Sequence, residues 1–151
     1  MKKLVTALFL IFATAVWAGD FEDGVAASKK GDYKTAVSFY KKAAEQGHLD
    51  AQYNIGFSYS NGQGVLQDYA EAFRWYKLAA EQGDSEAQFN VGLYYDIGQG
   101  VLKDYAEAFR WYKMSAAQEH APALHNLGIL YSKGEGVLQD YAEAFRWFKL
   151  A

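Results

Sequence analysis

The chain has 151 residues, of which 51% are hydrophobic and 22% charged, and its formal net charge is −3. This length predicts one domain with one continuous core. The sequence contains no cysteine, which excludes disulfides, thiolate metal sites and thiol nucleophiles. The acidic balance argues against broad nucleic-acid binding and against docking on an anionic membrane surface, because both need a basic surface.

The N-terminal segment has the order of a secretory signal peptide. Lys2 and Lys3 precede an uncharged, mostly apolar run over 4–16, and the small residue Ala18 then precedes the polar pair Gly19-Asp20. This order is typical of a cleaved signal, and the run is shorter than the roughly 20 residues of a membrane span. We therefore predict a signal peptide at 1–18 and an exported protein, periplasmic or secreted; an uncleaved N-terminal anchor is the alternative.

The rest of the chain is built on a repeat of 36 residues. The ten residues that begin at Asp68 return almost unchanged at Asp104 and Asp140, and a partial copy begins at Asp32. A second block, Ala-x-x-Asn-x-Gly, begins at Ala51 and returns with the same spacing. A period of this length predicts a solenoid, in which each unit buries its apolar face only against its neighbours.

Two helices are predicted for each repeat. The first contains a glycine at its middle, which allows another helix to approach closely, and a Gly-x-Gly-Val loop follows it. The second helix begins with an aspartate N-cap that has a glutamate three residues later. An earlier pair lacks the loop and breaks tightly at Gly31, as in a tetratricopeptide repeat. The predicted helices are 21–30, 32–46, 50–61, 69–82, 86–97, 105–118, 122–133 and 141–150.

This pattern resembles the Sel1-like repeat, which is related to the tetratricopeptide repeat. The residues that carry the resemblance in the first full copy are Ala51, Ile55-Gly56, Tyr59, Gly62-Gln63-Gly64-Val65, Asp68, Ala72, Trp75-Tyr76, Ala79-Ala80 and Gly83. The resemblance implies an all-α fold, a right-handed α-solenoid of antiparallel helix pairs whose concave surface is lined mainly by the first helix of each pair.

On this pattern the predicted repeat domain, 19–151, divides into four parts. They are a tetratricopeptide-like half-unit at 21–47 and repeats at 48–83, 84–119 and 120–151, of which the last is incomplete.

Two positions depart from the repeat. Glu119 stands where the earlier turns have Gly47 and Gly83, and Pro122 follows, so this turn is expected to differ. The sequence stops at Ala151, before the C-cap of its last helix, and more apolar surface is expected there than in the inner copies. We expect a truncated fragment; the alternative is a natural end covered by a partner or by a second copy.

The sequence lacks the pattern of a catalytic or metal site. His48 and His120 occupy the same position in separate turns, which do not converge on one metal ion. The repeated carboxylates are explained by helix capping. Ser38-Phe39-Tyr40-Lys41 has the spacing of a β-lactam motif, but the repeat explains it and no companion motif is found. We predict that the protein is not an enzyme and uses neither a cofactor nor a metal.

The first helices carry the candidate binding residues. Three asparagines one repeat apart form either a ladder that binds an extended backbone or a set of structural hydrogen bonds. A second position differs between the copies, and varied residues on a regular scaffold are candidates for specificity. The predicted protein-binding residues are Asn54, Ser58, Asn90, Tyr94, His125, Asn126 and Leu130.

The sequence therefore favours an exported, non-catalytic scaffold or adaptor that binds a protein or peptide in the concave groove. One alternative is a regulator or assembly factor of a cell-envelope enzyme, and another is a hydrolase of β-lactams or cell-wall material. The expected partners include neither nucleic acid nor, after signal cleavage, a membrane. Self-association through the exposed C-terminal helix is a further expectation.

Overall fold

The computed structural model describes residues 19–151, and the predicted signal peptide lies outside the described residues. All regular structure in 19–151 is α-helical, and none of these helices combines the length and the apolar character that a bilayer span requires. The helices are α1 (19–29), α2 (Tyr33–Glu45), α3 (Leu49–Asn61), α4 (Tyr69–Glu81), α5 (Ser85–Ile97), α6 (Tyr105–Ala116), α7 (Ala121–Lys133) and α8 (Tyr141–Leu150). The all-α prediction is confirmed, and every predicted bound is within two residues of the observed one.

The helices form two compact units, which divide after Gln67. In the unit that contains α1 to α3, the predicted break occurs at Gly31, whose φ is 78°. Asp32 then caps α2 by accepting a hydrogen bond from the Thr35 amide, at 3.1 Å. The cause of this tight turn is local, since the glycine permits the left-handed conformation and the aspartate satisfies a free helix amide.

In the unit that contains α4 to α8, each helix packs against the next one along the chain. Two tryptophans of the second helices, Trp75 and Trp111, are buried, as are Val91 and Leu127 of the first helices. Tyr112 lies at the centre of a core cluster that joins α6 to α7. The apolar stripe of each helix thus faces its sequence neighbours, as the repeat period predicts.

The glycine at the middle of each first helix allows a ring to reach the helix backbone. A Cβ added to Gly92 would lie 2.6 Å from Cδ1 of Tyr112, and one added to Gly128 would lie 2.5 Å from Cε1 of Phe148. These distances are too short for any other residue unless the ring moves. The helix-destabilising glycine is therefore explained by close packing of the following second helix.

The loops also depend on glycine. Gly98 ends α5 in the left-handed conformation, with φ 72°, and Gly100 follows with φ 69°. A Cβ at Gly100 would overlap the carbonyl group of Tyr69, the first residue of α4. Gly136 has the same relation to Tyr105. Each of these loops consequently lies against the start of the second helix one repeat earlier.

The turn at Glu119 keeps the conformation of the earlier glycine turn. Glu119 has a φ of 61°, and Gly83 has a φ of 99°. The amide that follows each of them bonds to the preceding helix in the same way, His120 to the Ser115 carbonyl and Asp84 to the Ala79 carbonyl. The turn differs from the earlier one in its cap, because His120 makes no side-chain cap bond whereas Asp84 accepts one from the Ala87 amide at 2.6 Å. The backbone of the turn is preserved, although a left-handed conformation is unfavourable for a residue with a Cβ.

Candidate protein-interaction surface

Three of the predicted binding residues belong to the core. Ser58, Tyr94 and Leu130 hold the same repeat position and are all buried, with Tyr94 only 4% and Leu130 only 1% exposed. The Tyr94 ring packs against Phe73 and Tyr76, at centroid distances of 6.2 and 5.9 Å. The prediction that these side chains are open to a partner is therefore wrong, because this side of the helix faces the protein interior.

The open position is one residue earlier in each first helix. Leu93 and Ile129 are half-buried, and Phe57 is exposed at the same repeat position in the other unit. Consecutive helix residues point about 100° apart, so a shift of one residue moves a side chain from the core to the rim. These apolar side chains differ between copies and contact solvent, so they have the two properties that were expected of Ser58, Tyr94 and Leu130.

Two of the three asparagines, Asn54 and Asn126, make structural hydrogen bonds. Asn54 donates from Nδ2 to the Asp50 carbonyl, at 2.7 Å, within its own helix. Asn126 hydrogen-bonds the hydroxyl of Tyr112 on the preceding second helix. Asn90 and Asn126 are both half-buried, so part of each side chain remains at the surface.

Each histidine lies against an aromatic ring. His125 is exposed, and its ring centroid is 5.3 Å from that of Phe148. His120 is the N-cap residue of α7 and lies 5.2 Å from the Phe89 ring. His48 stacks on Phe21 at 4.5 Å and caps α3 by accepting from the Ala51 amide, at 3.3 Å. Across the described part of the chain, no group of three or more histidines and carboxylates is placed to hold a metal ion.

Three polar residues link α5, α6 and α7. The Tyr112 hydroxyl donates to Oδ2 of Asp96 at 3.1 Å and also hydrogen-bonds Asn126. Burial raises the pKa of Tyr112 well above its ordinary value, and the negative charge of Asp96 raises it further. Tyr112 therefore remains a neutral hydrogen-bond donor at any physiological pH, and it holds the partly exposed Asp96 carboxylate in place.

Together these residues define one surface, which we call the α5–α7 face. It contains apolar side chains beside polar ones, and Ile97 is 52% exposed at its edge. On α5, Glu86, Asn90, Leu93 and Ile97 follow helical spacing along one stripe, and Asp96 lies at the edge of that stripe, next to Leu93. The α5–α7 face consists of Glu86, Asn90, Leu93, Asp96 and Ile97 from α5 and Asn126 and Ile129 from α7.

Two further apolar sets are exposed. In the Gly-x-Gly-Val loops, Leu102 and Leu138 hold the same repeat position, and each is 89% exposed. On α8, the exposed side chains are Tyr141, Phe145, Phe148 and Leu150. Two of their equivalents in α6, Tyr105 and Phe109, pack against the core cluster of α6 and α7, where the Phe109 ring meets that of Tyr131 edge to face at 5.5 Å. Sequence reasoning missed the loop leucines, although their recurrence in a polar loop was visible.

The Sel1 repeat family model matches the chain in consecutive segments. They are 19–48, 49–84, 85–120 and 121–151, so the family pattern also covers the half-unit at the start. Curated relatives from Rattus norvegicus and Mus musculus, both named DAP3-binding cell death enhancer 1, are 34% identical over 68 residues. The match covers 45% of this chain but only 13% of the length of these relatives.

Solved structures share the fold. The c5321 protein, described as a protective antigen of uropathogenic Escherichia coli with an SLR fold, is 37% identical, with a TM-score of 0.84 over 89% of this chain and 30% of its own. A Sel1 repeat protein from Oxalobacter formigenes is also 37% identical, with a TM-score of 0.80 over 87% of this chain and 54% of its own. Cysteine-rich protein B of Helicobacter pylori, at 22% identity and a TM-score of 0.61, agrees in fold alone. The chain therefore belongs to the Sel1 repeat family, and its fold is an all-α solenoid of Sel1 repeats.

Proposed function

We propose that this chain is an exported, non-catalytic scaffold that binds a protein or a peptide on the exposed face of its first helices. The observation that carries the proposal is the α5–α7 face. Ile97 is exposed on this face, and Leu93 and Ile129 are half-buried with part of each side chain at the surface, while the core positions of the same helices are filled. Burying such side chains against a partner is favourable by about 25 cal/mol per Å² of apolar surface.

The family supports the same role. Sel1 repeats commonly act as protein-interaction scaffolds, and the name of the rat and mouse relatives describes a protein that binds DAP3. A regular scaffold with varied surface residues suits binding, because each repeat presents its face in the same orientation. Catalysis would instead require titratable groups that converge in one pocket with separated pKa values.

A capture experiment tests the binding role. The chain from Gly19 onward serves as bait for an envelope extract of the source organism. The test variant carries Ile97→Gln with Ile129→Gln, and the control carries Leu102→Gln with Leu138→Gln. Both pairs replace two solvent-exposed or half-exposed apolar side chains, but only the first lies on the α5–α7 face. We expect the test variant to lose a partner that the control retains.

The opposite results would be informative. A partner that both variants retain would place binding elsewhere and contradict the proposal for this face. A partner lost by the control alone would assign binding to the loop leucines. Circular dichroism and thermal melting of each bait establish that a lost partner does not reflect a lost fold.

Export has a separate test. The full chain is expressed in a Gram-negative bacterium, and the processed form is recovered by fractionation and N-terminal sequencing. The signal-like order of residues 1–18 supports cleavage after Ala18, so the processed form should begin at Gly19. An uncleaved chain that stays in the membrane fraction would favour the anchor instead.

A further inference from the structure

We propose that the partner segment on the α5–α7 face is basic with an apolar centre: its apolar side chain contacts Leu93 and Ile129, and a neighbouring arginine or lysine pairs with Asp96. This inference rests on the proposed function and adds the chemistry of the partner. It follows from the charge of α5, from the fixed position of Asp96, and from the apolar residues beside it.

The first step is the charge of α5. This helix carries Glu86 and Asp96 and contains no lysine or arginine. Neither carboxylate takes part in any ion pair found among residues 19–151. The neighbouring α7 has one such basic residue, Lys133, and it pairs with Glu135 at 3.7 Å. Lys103, in the loop before α6, interacts electrostatically with Asp96 and hydrogen-bonds Tyr105, but within the described residues it forms no ion pair with Asp96. The face therefore keeps an excess of negative charge, two carboxylates against one lysine, which attracts a basic partner.

The arginines of the second helices are already engaged. An arginine in each helix pairs with the glutamate three residues before it, at 3.2 Å for Arg74 and 2.8 Å for Arg110. Arg146 makes the same pair with Glu143, at 2.6 Å. These pairs are local to their own helices. Within 19–151, neither these arginines nor the lysines of α4 and α6, Lys77 and Lys113, form an ion pair with Glu86 or Asp96, so both carboxylates of α5 remain available to a partner cation.

The second step is the position of Asp96. One carboxylate oxygen, Oδ2, accepts from the Tyr112 hydroxyl at 3.1 Å. Tyr112 is fully buried and is held by Asn126 as well, so the acceptor is fixed by a residue that cannot move freely. A preorganised carboxylate loses little conformational entropy when a cation binds it, and charge-assisted hydrogen bonds of this type are strong.

The third step is that Asp96 is particular to one repeat. Its equivalents are Ser60 and Ser132, and the equivalent of Tyr112 in the last copy is Phe148. The fold thus accommodates serine at the first position and phenylalanine at the second. The chain itself therefore supplies two conservative test variants, Asp96→Ser and Tyr112→Phe.

The experiment compares three fluorescein-labelled peptides of equal length by fluorescence anisotropy. All three share a central pair of leucines, and the flanking positions are arginine, serine or glutamate. We expect the arginine peptide to bind the chain from Gly19 at least about tenfold more tightly than the glutamate peptide, with a difference that shrinks as salt is added. Asp96→Ser should weaken the arginine peptide roughly fivefold or more and leave the serine peptide unchanged.

Two further variants separate charge from position. Tyr112→Phe keeps the Asp96 charge but removes its hydrogen bond, so it should cause a smaller loss than Asp96→Ser. Glu107→Gln removes a carboxylate that is paired on a second helix, and it should leave the arginine preference intact.

The inference is overturned if the arginine peptide does not bind, if the glutamate or serine peptide binds as tightly, or if Asp96→Ser keeps the preference. None of these results decides the proposed function, which the capture experiment tests on its own through Ile97 and Ile129. A captured partner whose mapped binding segment is acidic would likewise overturn the basic-segment inference and leave the scaffold function standing.

Discussion

In the unit from Asp68 onward, the second helices repeat their sequence more closely than the first helices do. The second helices, α4, α6 and α8, begin with nearly the same ten residues, and the structure gives most of these a structural role. The aspartate caps the helix, the glutamate pairs with an arginine, and the alanine and tryptophan enter the core. These helices therefore tolerate little change between copies.

The first helices, α5 and α7, share fewer residues with each other. Ala87 and Gly92 recur as Ala123 and Gly128, whereas Leu93 and Asp96 become Ile129 and Ser132. The small buried residues that recur maintain the packing of neighbouring helices, whereas the positions that vary include half-exposed residues such as Leu93 and buried ones such as Tyr94. Substitutions at the recurring glycines should consequently lower stability, and substitutions at varied positions that reach the surface should change binding instead.

The largest loss of stability is expected for Gly100→Ala. The new Cβ would overlap the Tyr69 carbonyl, and the positive φ of 69° is itself unfavourable for alanine. Backbone atoms cannot move aside as a side-chain tip does, so we expect a loss of about 3 kcal/mol or more in the free energy of unfolding. Urea denaturation followed by circular dichroism measures it.

Gly83→Ala is the matched control for this substitution. Gly83 also has a positive φ, 99°, but nothing lies within 4 Å of its added Cβ. The loss should be about 1 kcal/mol, from the backbone conformation alone. Equal losses for the two variants would contradict the view that the second loop glycine is required by its contact with the preceding helix pair.

The next largest loss of stability depends on whether the ring beside a mid-helix glycine is buried or exposed. Gly92→Ala pushes on Tyr112, which is fully buried and hydrogen-bonded, whereas Gly128→Ala pushes on Phe148, which is 40% exposed and free to turn outward. Overpacking should cost Gly92→Ala about 2 kcal/mol. Gly128→Ala should be nearly neutral, because alanine stabilises a helix by about 1 kcal/mol relative to glycine. Thermal melting of the two variants decides whether ring freedom explains the difference.

The repeat made most of the fold predictable from the sequence. A fixed period places every helix once one copy is understood, and the aspartate N-caps and loop glycines mark the helix ends. The Gly-x-Gly loops and the mid-helix glycines were interpreted correctly because glycine at a repeated position indicates either a turn with positive φ or a close approach of two elements. The core therefore followed from local chemistry and periodicity.

Which residues of the first helices reach the surface was predicted less well, because exposure depends on helix rotation. A shift of one residue separates the buried Tyr94 from the half-exposed Leu93, and both are apolar or aromatic residues that differ between copies. Sequence variation alone cannot distinguish them. Similarly, the contact of Asp96 with Tyr112 joins residues 16 positions apart, and no local motif indicates such a pair.

A smaller gain of stability is expected for Glu119→Gly. Glu119 holds a φ of 61° in a turn whose earlier copies have glycine. The left-handed conformation costs a residue with a Cβ about 1–2 kcal/mol, and the greater freedom of glycine in the unfolded chain offsets part of that. The net gain should be about 0.5 kcal/mol, measured by urea denaturation. A loss of stability would show that the Glu119 side chain has a role that the turn conformation does not reveal.

The smallest change in stability is expected for Leu102→Gln. This substitution directly tests whether a residue that recurs between copies is needed for packing. Leucine recurs at this position in every full repeat, as Leu66, Leu102 and Leu138, yet Leu102 is 89% exposed. If recurrence always reflected packing, the substitution would destabilise the protein. Because the side chain has little contact to lose, we expect a change within about 0.5 kcal/mol in the free energy of unfolding. A larger loss of stability in urea denaturation would show that the loop requires this leucine. An unchanged stability would show that recurrence between copies indicates a structural role only for residues that are buried, that cap a helix or that are glycine.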